Sequence, residues 1–116
     1  MTRLISNQAA VALYRYKKFT MDNTKVIVDL GEAKLLLHGN KIARKDENGN
    51  IFINFQSFRT RTTVDRLEAV TDLQFSIAKD KLRYRQYAVD NWVEINSWEW
   101  YKLVEKDGKK WLELSK

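Results

Sequence analysis

Residues 33–55, AKLLLHGNKIARKDENGNIFINF, decide the architecture. AKLLLH (Ala33 to His38) and KIARKD (Lys41 to Asp46) meet across Gly39-Asn40, residues that tolerate left-handed backbone and so predict a two-residue hairpin turn. Asn48-Gly49 supplies another turn before NIFINF (Asn50 to Phe55), where Ile51, Ile53 and Phe55 share one side of a strand by period two. Just upstream, TKVIVD (Thr24 to Asp29) is β-branched and is broken by Gly31. Four short strands in succession predict an antiparallel meander.

The flanks read differently. QAAVALYRYKKF (Gln8 to Phe19) predicts a helix that Ser6 or Asn7 can cap. Ala9, Ala12, Leu13 and Tyr16 fall on one face, and Arg15, Lys17 and Lys18 crowd the last turn, where cations suit the dipole. TMDNT (Thr20 to Thr24) then reads as a linker. Downstream, Thr62 and Asp65 match a capping pattern, and Val64 and Leu67 continue it as a helix of about two turns ending before Thr71-Asp72. LQFSIAKD (Leu73 to Asp80) and KLRYRQYA (Lys81 to Ala88) predict a strand pair with a turn near Asp80. Asp107-Gly108 joins EWYKLVEK to KKWLEL as a final hairpin. The expected class is α+β: mostly antiparallel β meander and hairpins with an N-terminal helix and one short central helix. The length fits one domain over 1–116, with a helical segment at 1–23 and a β-rich body at 24–116.

Composition bounds the function. An apolar fraction of 44% with 31% charged residues describes a chain that can build a core, and the net charge of +6 favours an acidic partner. Basic residues dominate from Arg3 to Arg85, so a basic face built from the first three quarters of the chain is expected. Cysteine is absent, which removes disulfide and thiolate chemistry and fits a reducing compartment. The start MTRLISNQAAVALYRYKKF does not read as a signal peptide, and no stretch has membrane-spanning length.

The residues do not point to catalysis. The single histidine, His38, flanks a turn, no Gly-rich phosphate loop is present, and DENGN resembles a calcium loop only in composition. Neither a metal nor a cofactor is expected. Binding has better support. Arg59, Arg61 and Arg66 surround the predicted helix start together with Thr62, where amides and hydroxyls attract anions, although a plain helix cap explains the threonines as well. In LRYRQY, the alternate positions Arg83, Arg85 and Tyr87, with Lys81 at the start, form a basic row ending in an aromatic. The same row also serves to block edge pairing. Trp98 and Trp100 share one strand face and Tyr101 and Leu103 the other, so at least one apolar face is buried.

At LHGNKIA (Leu37 to Ala43) and TRTTVDRLEAV (Thr60 to Val70) the chain resembles small accessory proteins encoded by bacteriophages and prophages. The pieces are Leu37, His38, Gly39, Asn40, Ile42 and Ala43, then Phe58, Thr60, Thr62, Thr63, Arg66, Leu67 and Ala69. Where those proteins commonly carry Gly-Trp, this chain has Ser57-Phe58. The resemblance spans roughly residues 24 to 85 and implies a role in host takeover or counter-defence, in the cytoplasm of a bacterial host. The expected function is a non-enzymatic binding protein that modulates a host nucleic-acid machine in the manner of anti-CRISPR inhibitors. The alternative is autonomous DNA or RNA binding through a basic sheet face. The expected partner is a host protein or nucleoprotein complex, with DNA or RNA as the other option and no membrane.

Overall fold

The computed structural model describes residues 2–115. Helix α1 (Thr2–Tyr14) leads into strands β1 (Phe19–Met21), β2 (Thr24–Asp29), β3 (Glu32–Leu37), β4 (Asn40–Lys45) and β5 (Ile51–Ile53). Helix α2 (Arg61–Thr71) follows, then β6 (Gln74–Ala78), β7 (Lys81–Arg85), β8 (Val93–Ile95), β9 (Tyr101–Lys106) and β10 (Lys109–Leu114). All pairing is antiparallel. A seven-stranded sheet runs β1-β2-β3-β4-β5-β9-β10, and β6-β7-β8 form a three-stranded sheet inserted between β5 and β9. The α+β class and the β2–β5 meander match the sequence reading.

Turn chemistry explains the hairpins. Leu30-Gly31, His38-Gly39, Lys79-Asp80 and Asp107-Gly108 each have positive φ at both residues, the twist that suits a two-residue connection. The second of these corrects the expected turn: Leu37 pairs with Asn40, so His38 sits inside the turn at φ 51° and Asn40 opens β4. Between Leu35 and Leu36 the register shifts, leaving Ile42 as an extra residue on β4 beside Ala43, both fully buried.

Register separates the two faces of the large sheet. Phe19, Val26, Leu35, Ala43, Ile53, Tyr101 and Leu114 are successive partners, one from each strand. Val26, Leu35, Ala43, Ile53 and Tyr101 are buried, and they join Ala9 and Leu13 of α1 with Leu67 and Val70 of α2 in one core. Fully burying a leucine of this kind contributes about 1.5–3 kcal/mol. Both helices lie on this side, and α1 packs on α2, β2 and β3.

The N-terminal helix differs from expectation at both ends. It covers Thr2–Tyr14 rather than Gln8–Phe19, so Ser6 and Asn7 are interior positions, and Ser6 is fully buried. It stops because Tyr16 turns left-handed (φ 54°): Lys17 N–H bonds Ala12 O at 2.9 Å and Tyr16 N–H bonds Leu13 O at 3.3 Å, the pairing of a Schellman ending. Arg15, Lys17 and Lys18 therefore lie beyond the helix. The cation at its C-terminus comes from β4, where Lys45 Nζ donates to Tyr14 O at 2.7 Å. Phe19 to Thr24, expected as helix end and linker, instead forms the β1–β2 hairpin, so the sheet begins inside the segment assigned to the helical part.

The inserted sheet also closes an edge. Tyr84 and Gln86 reach the outer backbone of β10: Leu112 N–H donates to the Tyr84 hydroxyl at 3.1 Å, and Lys110 N–H donates to Gln86 Oε1 at 2.9 Å. Groups that would otherwise recruit another strand are thereby satisfied.

Candidate functional site

The threonine-arginine stretch resolves into two different roles. Thr60, not Thr62, caps α2, accepting from Thr63 N–H at 3.2 Å, and the helix runs to Thr71 over 11 residues rather than about two turns. Thr63 is fully buried and shares a hydrogen bond with Thr60 at 3.0 Å. Thr62, expected as a binding residue, is half-buried beside Leu37, His38, Asn40 and Phe58, where the two segments that carry the phage resemblance meet.

Arg66 is a correction. Its side chain is only 2% exposed, so it does not face a partner. Nε donates to Thr24 Oγ1 at 2.9 Å, Nη1 donates to Ser6 Oγ at 2.7 Å, and Nη2 reaches Asn23 Oδ1 at 3.5 Å. Asp65 supplies the counter-charge at 3.8 Å and accepts from the Ser6 hydroxyl at 2.6 Å. Burial lowers the Arg66 pKa and the Asp65 charge raises it against that, without changing the fact that a guanidinium stays protonated. Helix spacing carries Arg66 inward: it lies between Thr63 and Val70 on the buried stripe of α2.

Arg59 and Arg61 do stay at the surface. Arg59 donates to Asp80 O, with the Asp80 carboxylate 3.9 Å away, and Arg61 has no hydrogen-bond or ion-pair partner among the described residues. Together with Val64, Phe75 and Ile77 they line a cleft of about 400 Å³.

The predicted row on β7 is present but largely occupied by its own surroundings. Arg83 and Arg85 share the outer face of the small sheet, while Leu82 and Tyr84 are buried on the inner one. Lys81 lies 3.9 Å from Glu94, and Arg83 is in register with Glu94 across β8. Arg85 donates to Gln74 Oε1 at 2.8 Å and to Ala88 O at 3.0 Å, with its guanidinium 4.1 Å from the Trp92 ring centre. Tyr87 falls outside the row because β7 ends at Arg85. It sits in the following loop, exposed, with its N–H on Asp90 Oδ2 at 2.9 Å.

A larger basic face was not singled out from the sequence. On the side of the big sheet opposite the helices, Ile27, Lys34, Arg44, Phe52, Lys102 and Glu113 are successive register partners. Lys25, Lys41, Lys106 and Lys109 lie on the same side, and the cations outnumber Asp29, Glu32 and Glu113. The Arg44 guanidinium lies 3.9 Å from the Phe52 ring centre and 5.7 Å from that of Trp100, held by Glu32 at 3.2 Å, and Lys41 Nζ is 5.9 Å from Trp100. Trp98 and Trp100 precede β9 instead of lying in it. Trp100 is half-buried and Trp98 is 63% exposed. The signal was in the sequence: Lys25, Lys34 and Arg44 each stand next to a core residue, Val26, Leu35 and Ala43, and so must face the other way.

Among the described residues no three His, Asp or Glu gather into a metal-binding group, and no helix is long and apolar enough to cross a membrane. The family model for the Kyanoviridae Gp96 protein matches residues 2–110, and the chain belongs to that family of phage proteins. No curated protein and no solved structure matches it.

Proposed function

We propose that this phage protein of the Gp96 family is a non-catalytic binding protein that grips nucleic acid through the open face of its seven-stranded sheet, and so acts on a host nucleic-acid machine. The observation that carries the reading is the cation excess on the face opposite the helices, with Lys34, Arg44, Phe52 and Lys102 aligned in the middle of six adjoining strands. Lysines supply point charges for backbone phosphates, and a guanidinium backed by Phe52 offers both a fork for phosphate and a flat surface for a base. Strands hold these groups on a rigid frame, which lowers the entropy cost of gripping a flexible polymer.

The test is fluorescence anisotropy with labelled single- and double-stranded DNA and RNA over a salt series. Binding should weaken steeply with salt, because each neutralised phosphate releases counterions. Replacing Lys34, Arg44 and Lys102 with alanine should flatten that slope, whereas replacing Arg83 and Arg85 should change it little. Absence of binding at low salt would sink the reading.

A second reading has one observation in its favour. Trp98 is a large aromatic exposed to 63%, and such side chains anchor protein interfaces. It supports a counter-defence protein of anti-CRISPR type that docks on an effector complex of the bacterial host. Pull-down with host effector complexes would then recover a partner that Trp98→Ala loses while nucleic-acid binding persists.

A further inference from the structure

On the helix side of the molecule, away from the open face, Arg59 and Arg61 stand over a floor made by Val64, Phe75 and Ile77. The floor has a definite shape. Phe75 and Ile77 are alternate residues of β6 and so point to one side of the strand, while Val64 adds the flank of α2. Ile77 is 36% exposed, leaving apolar surface that the other described residues do not cover. The charge is only partly balanced. Arg61 has no partner among the described residues, while Arg59 has the 96% exposed Asp80 carboxylate at 3.9 Å and lines a small cavity with Glu94 on its other side. Two guanidinium groups beside an apolar floor, in which Ile77 is exposed and Phe75 lies deeper at 7% exposure, suit a ligand with an anionic head and an apolar or aromatic body.

We infer that this cleft takes a nucleoside 5′-phosphate, with the phosphate between Arg59 and Arg61 and the base on Phe75 and Ile77. Two guanidinium forks match a phosphate monoester, which carries more charge and more acceptor oxygens than a carboxylate. A volume of about 400 Å³ lies within the range of small-ligand sites. The ligand chemistry has two sources, a free mononucleotide or the 5′-phosphorylated end of a strand. The inference does not depend on the open face binding nucleic acid, because a free nucleotide would occupy the cleft without it.

The probe is calorimetric titration of the full chain with AMP, adenosine and inorganic phosphate. AMP should bind about tenfold or more tightly than either component, since both halves of the cleft contribute. Arg61→Ala should weaken AMP about tenfold, and Arg61→Lys should recover only part of that, because an ammonium lacks the fork. Asp80→Asn should tighten AMP by about two- to threefold by removing the carboxylate charge beside Arg59 while the backbone carbonyl that Arg59 bonds stays, and asparagine tolerates the left-handed backbone there (φ 64°). Because Arg61 is exposed, its loss leaves folding intact, which circular dichroism checks. AMP binding no better than adenosine, or unchanged in Arg61→Ala, overturns the assignment. Competition of AMP by a 5′-phosphorylated oligonucleotide but not by its 5′-hydroxyl form identifies the strand end as the source, and AMP binding without that competition identifies the free nucleotide. A Lys34, Arg44 and Lys102 alanine variant loses the open-face reading's binding while retaining AMP, so the two can fail separately.

Discussion

Lys34 and Leu35 are neighbours on one strand and live in different worlds. Leu35 is fully buried beneath the helices, and Lys34 lies in a row of cations on the other face. The same contrast extends across the sheet: beneath the helices Ser6, Thr24, Asp65 and Arg66 form a closed hydrogen-bonded network, and the other side is charged surface. The lesson is that charge in this protein has two uses, and burial tells them apart. Arg66 is a cation spent on holding the fold, whereas Arg61, in the same helix, is left available.

The strongest way to break the comparison is to open the covered side. Arg66→Ala would remove the counter-charge beside Asp65 and the donor that Ser6 Oγ and Thr24 Oγ1 accept from. Removing one member of a buried charged pair costs about 3–5 kcal/mol. Denaturant unfolding should show that loss, and a change under about 1 kcal/mol would mean that the network does not hold the helices to the β1–β2 turn. Leu35→Ala comes next, at about 2–5 kcal/mol from lost burial and the cavity left behind.

Those buried contacts also mark the limit of what the sequence discloses. The hairpins at Leu30-Gly31 and Asp107-Gly108 are legible because turn preference is local. Strand β1 is not, since three residues carry no periodicity and pair only because β2 offers them an edge. Ser6 looks like a cap because a serine ahead of alanines usually is one. It is instead a helix-interior partner of Asp65, a residue 59 positions away, and no local rule reaches that far. The open face falls between these cases. Its inward and outward parity was readable from Lys25, Lys34 and Arg44 beside their core neighbours. Their alignment into a row needed the true register, which the extra residue at Ile42 shifts.

A smaller effect sharpens the picture at the border of the two faces. Asp46 follows β4 and accepts from Asn48 N–H at 3.0 Å and Asn50 N–H at 2.9 Å. Burial raises its pKa, but the Asn50 and Asn48 hydrogen bonds and the Arg44 charge lower it further, for a net shift below the ordinary 3.8. A carboxylate depressed in the folded state contributes stability that is fully present above its unfolded value and lost as pH falls through the folded one. Losing the two hydrogen bonds in Asp46→Ala should therefore cost at most about 1 kcal/mol at neutral pH, reduced by solvent screening of this partly exposed carboxylate. That difference should shrink as the pH drops below the ordinary carboxylate value, and a difference that stays constant down to acid pH would assign the effect to packing.

The smallest stability change carries the sharpest test. Lys34→Ala removes a half-exposed cation on the face opposite the buried network, and surface changes of this kind stay within about 0.5 kcal/mol. Its neighbour Leu35→Ala should be several kcal/mol worse on the same denaturation curve. In the salt series the order should reverse. Lys34→Ala should reduce the salt dependence of nucleic-acid binding by about one unit of slope, the signature of one lost phosphate contact, while folded Leu35→Ala should leave that slope unchanged. If instead both variants alter the slope equally, binding depends on the stability of the sheet as a whole and not on the charges it presents, and the open face is no more than a solvated exterior.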